Sequence, residues 1–251
     1  MKRLGAESDP REMTFLEHLE EMRWVIIRSG IVIVALAFAS WFFSDWLMTH
    51  VLIRPLHVHF PEYELIYLKP AGAFLALMSI SLWTAVIVGL PYIAWEAWRF
   101  IAPGLFRNER RLIPIVLGVT VFCFMVGAAL AYLVVLPIAL RFFLTLGSEL
   151  LRPQIEVKEY LSFTLRLILA FGVVFELPVI SFFLARMGML TAATMRKGRS
   201  YAIFGIAVLS AFITPPDPAS MMFLMLPLVL LYEVSIWVAV IAGRRHRESL
   251  P

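Results

Sequence analysis

The chain has 251 residues, of which 61% are hydrophobic and only 16% are charged. This balance excludes a soluble protein, because several apolar runs reach the roughly 20 residues that a helix needs to cross a bilayer. The formal net charge of +4 does not call for a nucleic-acid partner, since membrane topology explains the basic residues. The single Cys123 excludes a disulfide framework and a cysteine metal site.

Six apolar segments are predicted to cross the membrane as helices, because the bilayer offers no water to unpaired backbone groups. The fifth has 13 residues, which give about 20 Å of helix, less than the roughly 30 Å hydrocarbon core. We expect an all-α integral membrane protein with a short fifth helix, and the length of the sixth is left open. The predicted spans are Trp24–Phe43, Ala73–Trp95, Leu112–Leu136, Leu161–Leu184, Tyr201–Ile213 and Met221–Ala242.

A short amphipathic helix is predicted before the first span. Thr14 and Glu17 have the spacing of a capping box, so the helix should begin there. Glu17, Glu20 and Glu21 share a face and are expected to point into the cytoplasm. The pattern slightly favours a solvated helix at the interface, and the alternative is a negatively charged binding patch.

The basic residues predict the orientation of the chain. Fifteen Lys and Arg residues lie in the tails and connections on one side of the predicted spans, and five lie on the other side. By the positive-inside rule, both termini are cytoplasmic. We expect one membrane domain with a cytoplasmic segment 1–23, a six-helix bundle over 24–242 and a cytoplasmic tail 243–251. Arg28 and Arg166 are expected to extend from the span ends towards the interface.

The two connections on the opposite side, 44–72 and 137–160, are long for simple links. His57 and His59 lie in the first of them. Two histidines without a further partner are a weak signal for a metal site, and a solvated loop explains them better. No metal ligand is therefore assigned.

The first cytoplasmic connection contains a turn and a further acid. Pro103 and Gly104 force the turn, which brings Glu109 back towards the membrane face. Glu109 can pair with the arginines that follow it, or it can form one acidic site with the N-terminal glutamates. Paired carboxylates suit a guanidinium ligand, because its planar fork of N–H groups donates to both oxygens.

Two acids fall inside predicted spans. Glu176 lies in the fourth span just before Pro178, which removes a backbone donor and loosens the helix, and Glu233 lies in the sixth span. Ionisable residues at this depth usually mark function, although a structural glutamate bonded to a neighbouring helix is an alternative. The two acids predict a polar concavity between spans. A proton-coupled secondary transporter of a small solute is one function compatible with it.

No motif for catalysis or cofactor binding is present in the sequence. There is no nucleotide-binding loop, no HExxH zinc motif and no nucleophile elbow. We therefore expect no enzyme activity, no cofactor and no nucleic-acid partner.

Five motifs follow one another between residues 13 and 243: His18-Leu-Glu20-Glu21-Met-Arg23, Phe100-Ile-Ala-Pro103-Gly-Leu, Glu109-Arg-Arg, Phe171-Gly-Val-Val-Phe-Glu176-Leu-Pro178 and Thr214-Pro215-Pro216-Asp217. Together they resemble the TatC family, the receptor subunit of the twin-arginine translocase.

The resemblance implies a glove-like bundle of six helices that binds signal peptides with consecutive arginines on folded proteins. It implies that Glu21 and Glu109 hold the arginines, that Phe100 and Arg23 lie nearby, and that Glu176 faces the concave side. Glu20 and Pro103 complete the predicted peptide site. The predicted structural or partner contacts are Pro55, Pro178, Pro215, Pro216 and Asp217.

The implied partners are single-span TatA- and TatB-type subunits, further copies of the chain and membrane lipid. Transport is implied to be driven by the proton-motive force. The implied location is an energy-transducing membrane, first of all the bacterial cytoplasmic membrane, with archaeal and plastid-type membranes as alternatives.

Overall fold

The structure, a computed structural model, describes residues 15–102, 113–145, 154–214 and 218–248. These parts of the chain are almost entirely helical, with two strands of two residues each, β1 (Leu65–Ile66) and β2 (Ile155–Glu156). The helices are α1 (Phe15–Trp41), α2 (Ser44–Leu47), α3 (Arg54–His59), α4 (Gly72–Ile101), α5 (Ile113–Leu130), α6 (Leu136–Thr145), α7 (Val157–Val174), α8 (Leu177–Arg186), α9 (Ala192–Lys197), α10 (Arg199–Ile213) and α11 (Pro218–Glu248).

Five helical stretches are long and apolar enough to cross a membrane. They coincide with the predicted spans one, two, three, four and six. The predicted fifth span is helix α10, whose 15 residues give about 22 Å of length, again short of the roughly 30 Å core. Phe38 and Phe212 are 70% and 74% exposed, as side chains that face lipid are. The five stretches are His18–Trp41, Gly72–Phe100, Ile113–Thr145, Val157–Arg186 and Pro218–Gly243.

Two helix bounds differ from the sequence prediction. Helix α1 begins at Phe15 and is continuous to Trp41, so the predicted amphipathic segment and the first span form one element. The third span continues beyond Leu136 to Thr145, although a loop was predicted from residue 137. A π-helical turn, Ala131–Val135, ends two residues before Pro137. Its wider radius relieves the clash between a proline ring and the preceding helical turn.

Helices α5 and α7 approach so closely that two glycines are needed at their contact. A Cβ atom on Gly172 would lie 2.4 Å from the ring of Phe124, and one on Gly127 would lie 2.7 Å from the carbonyl oxygen of Phe171. Phe124 and Phe171 are both fully buried. Small residues allow such close packing in membranes, where van der Waals contact replaces the hydrophobic effect between helices. This contact forms the centre of the core.

The connection between α1 and α4 folds into a cap instead of the predicted solvated loop. A π-helical turn, Met48–Leu52, leads into α3, and its carbonyl oxygens accept two hydrogen bonds. The Tyr132 hydroxyl donates to the carbonyl of Val51, and the Tyr160 hydroxyl donates to the carbonyl of Leu52, both at 2.6 Å. Strand β1 pairs in parallel with β2, which precedes α7. The cap is thus tied to the third and fourth spans.

The histidines of the cap are not arranged as a metal site. His57 is exposed, and His59 Nδ1 lies 2.9 Å from the carbonyl oxygen of Pro55, within its own helix. The described residues contain no group of three or more His, Cys, Asp or Glu side chains that could hold a metal ion.

Candidate functional site

The beginning of α1 meets the end of α4 at one end of the bundle. The imidazole ring of His18 stacks on the ring of Phe100, with centroids 4.3 Å apart. At the opposite ends of the same two helices, the rings of Trp41 and Phe74 lie 5.6 Å apart. The two helices therefore run antiparallel and in contact over their whole length.

A buried carboxylate lies one turn before Phe100. Glu96 is 3% exposed, and its Oε1 accepts a hydrogen bond from the Tyr92 hydroxyl at 3.3 Å. Arg28 Nη1 lies 3.7 Å from Oε2, and Arg99 Nη1 lies 3.5 Å from Oε1. The expectation that Arg28 extends towards the interface stays a prediction; its side chain is 42% exposed, and its contact with Glu96 joins α1 to α4.

Glu21 lies along α1 between the residues that make these two contacts. It lies three residues after His18 and seven before Arg28, so all three share one stripe of α1. Glu21 is half-buried, and its buried Oε2 has no hydrogen-bond partner. The expectation that Glu21 points into solvent with Glu20 is therefore wrong. Successive helical residues are about 100° apart, so Glu20 and Arg23 lie on other sides of the helix from Glu21. Both of them are exposed.

Residues 103–112, between α4 and α5, lie outside the described residues. The two predicted site residues in this segment, Glu109 and Pro103, are therefore not placed. The described part of the site consists of Glu21, Glu96 and the His18–Phe100 stack. Glu96 is paired with Arg28 and Arg99, whereas no ion pair is described for Glu21, whose half-buried carboxylate beside the aromatic pair suits a cationic ligand with several N–H donors.

The second candidate region lies at a break in the fourth span. Helix α7 ends at Val174 and α8 begins at Leu177, with Pro178 in its first turn. Glu176 lies in this break, half-buried, and its buried Oε1 has no hydrogen-bond partner. The carboxyl group faces Thr120 and the backbone of Phe124 in α5. The sequence prediction that proline loosens the helix beside the acid is confirmed.

Glu233 has a different partner from Glu176. Its Oε2 accepts a charged hydrogen bond at 2.6 Å from Arg199 Nη2, at the start of α10. The described contacts of the two acids share no residue, because Glu176 faces α5 and Glu233 faces α10. Each acid therefore has its own separate contacts. A concavity that joins the two acids stays a prediction.

The predicted prolines lie in three settings. Pro55 is buried in the cap, and Pro178 begins α8. Pro215, Pro216 and Asp217 lie outside the described residues. Just before them, Thr214 Oγ1 donates to the carbonyl of Ser210 at 2.8 Å. Arg166, which was expected to extend towards the interface, donates to the carbonyl of Phe212 at 3.2 Å.

Sequence reasoning missed Glu96 and its pairing with Arg28. The second span was predicted to end at Trp95, so Glu96 was treated as part of the connection. Two opposite charges near the boundary of neighbouring predicted spans were the available signal, because ionisable residues there tend to pair with one another.

Comparison with known proteins identifies clear relatives. The family model described as "Sec-independent protein translocase protein (TatC)" matches residues 17–227. The chain is 38% identical to the TatC protein of Aquifex aeolicus strain VF5, over 94% of this chain and 98% of that protein. It is 37% identical to the TatC protein of Helicobacter pylori strain 26695, over 92% and 89%.

The fold is similar to a crystal structure of the twin-arginine translocase receptor TatC. The two structures superpose with a TM-score of 0.85 at 36% sequence identity. The match covers 91% of this chain and 100% of that one.

Proposed function

Because the chain belongs to the TatC family of Sec-independent protein translocase proteins, we propose that it is the receptor subunit of a twin-arginine translocase. In this role it binds the twin-arginine signal peptides of folded proteins and nucleates the translocation complex. The arginine site lies at the end of the bundle where α1 begins and α4 ends. The observation that carries this assignment is the half-buried carboxylate of Glu21, whose Oε2 has no hydrogen-bond partner beside the aromatic pair.

The chain is a multi-pass membrane protein, and both termini lie in the cytoplasm. The positive-inside count supports this orientation, because Lys and Arg residues concentrate in the tails and in the connections after α4 and α8. Together with the five longer stretches, helix α10 brings the number of spans to six, and it is the fifth along the chain. Because it is short, it leaves a recess beside the longer helices. The whole chain forms one membrane domain with a glove-like concave face.

Glu21 and Glu109 accept the two arginines of the signal peptide. A guanidinium group donates to carboxylate oxygens in bidentate fashion, and an ammonium group does so only as a point charge. The unbonded Oε2 of Glu21 is free to accept such a donor without the loss of an existing hydrogen bond. Glu20, Arg23 and Pro103 line the approach, and Phe100 belongs to the aromatic pair.

The apolar part of the signal peptide lies along the concave face near Glu176. The break between α7 and α8 leaves this carboxyl group half-buried with an unbonded Oε1. Ionisable groups at membrane depth mark pathways for ligands or partners. Glu233 lies on the same proposed face and is neutralised by Arg199.

The partners are single-span TatA- and TatB-type subunits and further copies of the chain, in the cytoplasmic membrane of a bacterium. The proton-motive force drives transport. Pro55 holds the cap in shape, and the segment with Pro215, Pro216 and Asp217 is assigned to contacts with these partners.

Two measurements on the purified protein separate this function from a small-solute transporter. A receptor in lipid vesicles gives no solute flux, and it binds a fluorescent twin-arginine peptide more tightly than a twin-lysine peptide. Solute flux by the chain alone, together with equal binding of both peptides, would instead support a proton-coupled transporter that uses Glu176 and Glu233.

A further inference from the structure

Glu96 is buried more completely than any other charged side chain in the described residues, yet its ionic contacts are long. It is 3% exposed, and the two arginine nitrogens nearest to it lie at 3.5 and 3.7 Å. A charge-assisted N–H···O bond normally has a length of about 2.7–2.9 Å. Oε2 of Glu96 makes no hydrogen bond at all. The carboxylate is therefore neutralised but incompletely bonded.

Glu21, on the neighbouring helix α1, has a second carboxylate oxygen, Oε2, that is buried without a hydrogen bond. On α4, Glu96 and Phe100 are one turn apart and face α1; on α1, His18 contacts Phe100 and Arg28 contacts Glu96. Glu21 lies between these two positions on the same stripe. The register of the two antiparallel helices therefore places Glu21 opposite the part of α4 that carries Glu96.

Buried carboxylate oxygens without hydrogen bonds are costly unless a donor fills the position in the working state. A guanidinium group has five N–H donors in a planar fork, so one group can donate to two separate carboxylates. Arg99 contacts the other oxygen of Glu96, Oε1, at 3.5 Å, and its side chain is 55% exposed, so it can move away from the carboxylate. Its departure would keep the local charge balanced when a ligand arginine enters.

We propose that Glu96 is a further arginine-accepting residue, and that one guanidinium group of the signal peptide docks between Glu21 and Glu96 in place of Arg99. The proposal rests on the proposed receptor function. It leaves the other arginine of the pair to Glu109. It also gives Arg28 a supporting role, because Arg28 stays beside Glu96 and balances part of the carboxylate charge.

The test measures the affinity of four peptides for the full chain in detergent: arginine–arginine, lysine–arginine, arginine–lysine and lysine–lysine. Each peptide is titrated against the wild type and Glu96→Gln, which retains the size and the polarity of the side chain. The matched control is Glu62→Gln, because Glu62 is an exposed acid of the cap at the opposite end of the bundle. The control should bind all four peptides as the wild type does.

The expected result is position-specific. Glu96→Gln weakens binding of the arginine–arginine peptide by about tenfold, the effect of losing one charged hydrogen bond. Of the lysine–arginine and arginine–lysine peptides, one lacks the arginine that Glu96 binds. The binding of that peptide should change little in Glu96→Gln. A purely structural role for Glu96 predicts equal weakening of every peptide, and that result, like unchanged binding of all of them, overturns the proposal.

A second variant covers the case in which Glu96→Gln does not fold. Arg28→Gln combined with Glu96→Gln removes both charges of the pair, so no charge is left without its partner. It should show the same position-specific loss. Wild-type affinity for all four peptides in the double variant would mean that Glu96 only neutralises Arg28.

The failure of this inference differs from failure of the proposed function. Glu21→Ala with Glu109→Ala tests the receptor site itself. If that variant loses arginine-specific binding while Glu96→Gln shows no position-specific effect, the receptor function stands and only the role of Glu96 falls. If the alanine variant keeps full arginine preference, the proposed site itself is wrong.

Discussion

The imidazole ring of His18 lies on the ring of Phe100, with centroids 4.3 Å and planes 20° apart. This contact fixes the start of α1 against the end of α4. It also decides which side of α1 faces the neighbouring helix, because His18, Glu21 and Arg28 share one stripe. The direction of the Glu21 carboxylate therefore depends on an aromatic pair.

Phe100→Ala should weaken binding of the twin-arginine peptide about fivefold, since a stacked aromatic pair contributes about 1 kcal/mol. His18→Phe keeps the ring pair and should retain most of the affinity. The matched control is Phe204→Ala, which removes a 70% exposed ring on α10. Fluorescence titration in detergent measures all three variants. Equal affinity of Phe100→Ala and the wild type would show that the stack does not position the site.

Gly172→Ala should destabilise the fold, because the new Cβ would lie 2.4 Å from the Phe124 ring. Overpacking of this kind costs about 1–3 kcal/mol. Gly118→Ala in α5 is the control, since no atom lies within 4 Å of the position that its new Cβ would take, and alanine favours a helix. Thermal unfolding in detergent should show a lower midpoint only for Gly172→Ala. Equal midpoints would contradict the close approach of α5 and α7.

Tyr160→Phe should loosen the cap, because it leaves the carbonyl of Leu52 without its 2.6 Å hydrogen bond. An unpaired buried acceptor costs about 1–3 kcal/mol. Tyr201→Phe serves as the comparison, since that ring is 83% exposed. The readout is backbone amide exchange in residues 48–59, which should rise in Tyr160→Phe and stay unchanged in Tyr201→Phe. Unchanged exchange in both would show that the hydroxyl does not hold the cap.

The native Cys123 provides a probe for the path of the apolar part of the peptide. It is half-buried in α5, close to Phe124 and the Glu176 carboxyl group. A peptide with one cysteine in its apolar segment should form a disulfide with Cys123 on mild oxidation, and a twin-lysine version should form far less. Cys123→Ser controls for cross-links elsewhere. The absence of a cross-link from every peptide position would place the apolar segment away from Glu176.

The membrane spans could be predicted from the sequence because length and apolar composition alone decide whether a helix crosses a bilayer. Helix α10 was recognised as short for the same reason. Pro178 also indicated the break beside Glu176, because a proline inside a helix removes a backbone hydrogen bond wherever it lies. Each of these features depends only on the residues of one segment and not on how that segment packs against others.

The site around Glu21 and Glu96 could be predicted only in part, because it depends on how two helices face each other. The glutamates of α1 were assigned to one solvent-facing side, and the contact with α4 turns Glu21 inward instead. Glu96 was missed because its role depends on the contact with Arg28, which lies 68 positions earlier in the chain. Likewise, nothing in the spacing of Gly127 and Gly172 indicates that each lies against a phenylalanine of the other helix.

The most direct test of the receptor function is the ratio of twin-lysine to twin-arginine dissociation constants, measured for the wild type and for Glu21→Ala with Glu109→Ala. The wild type should prefer the arginine peptide by at least about tenfold, because bidentate charged hydrogen bonds are lost with lysine. The variant should bind both peptides equally and weakly. An unchanged preference in the variant would contradict the assignment of the arginine site to these acids.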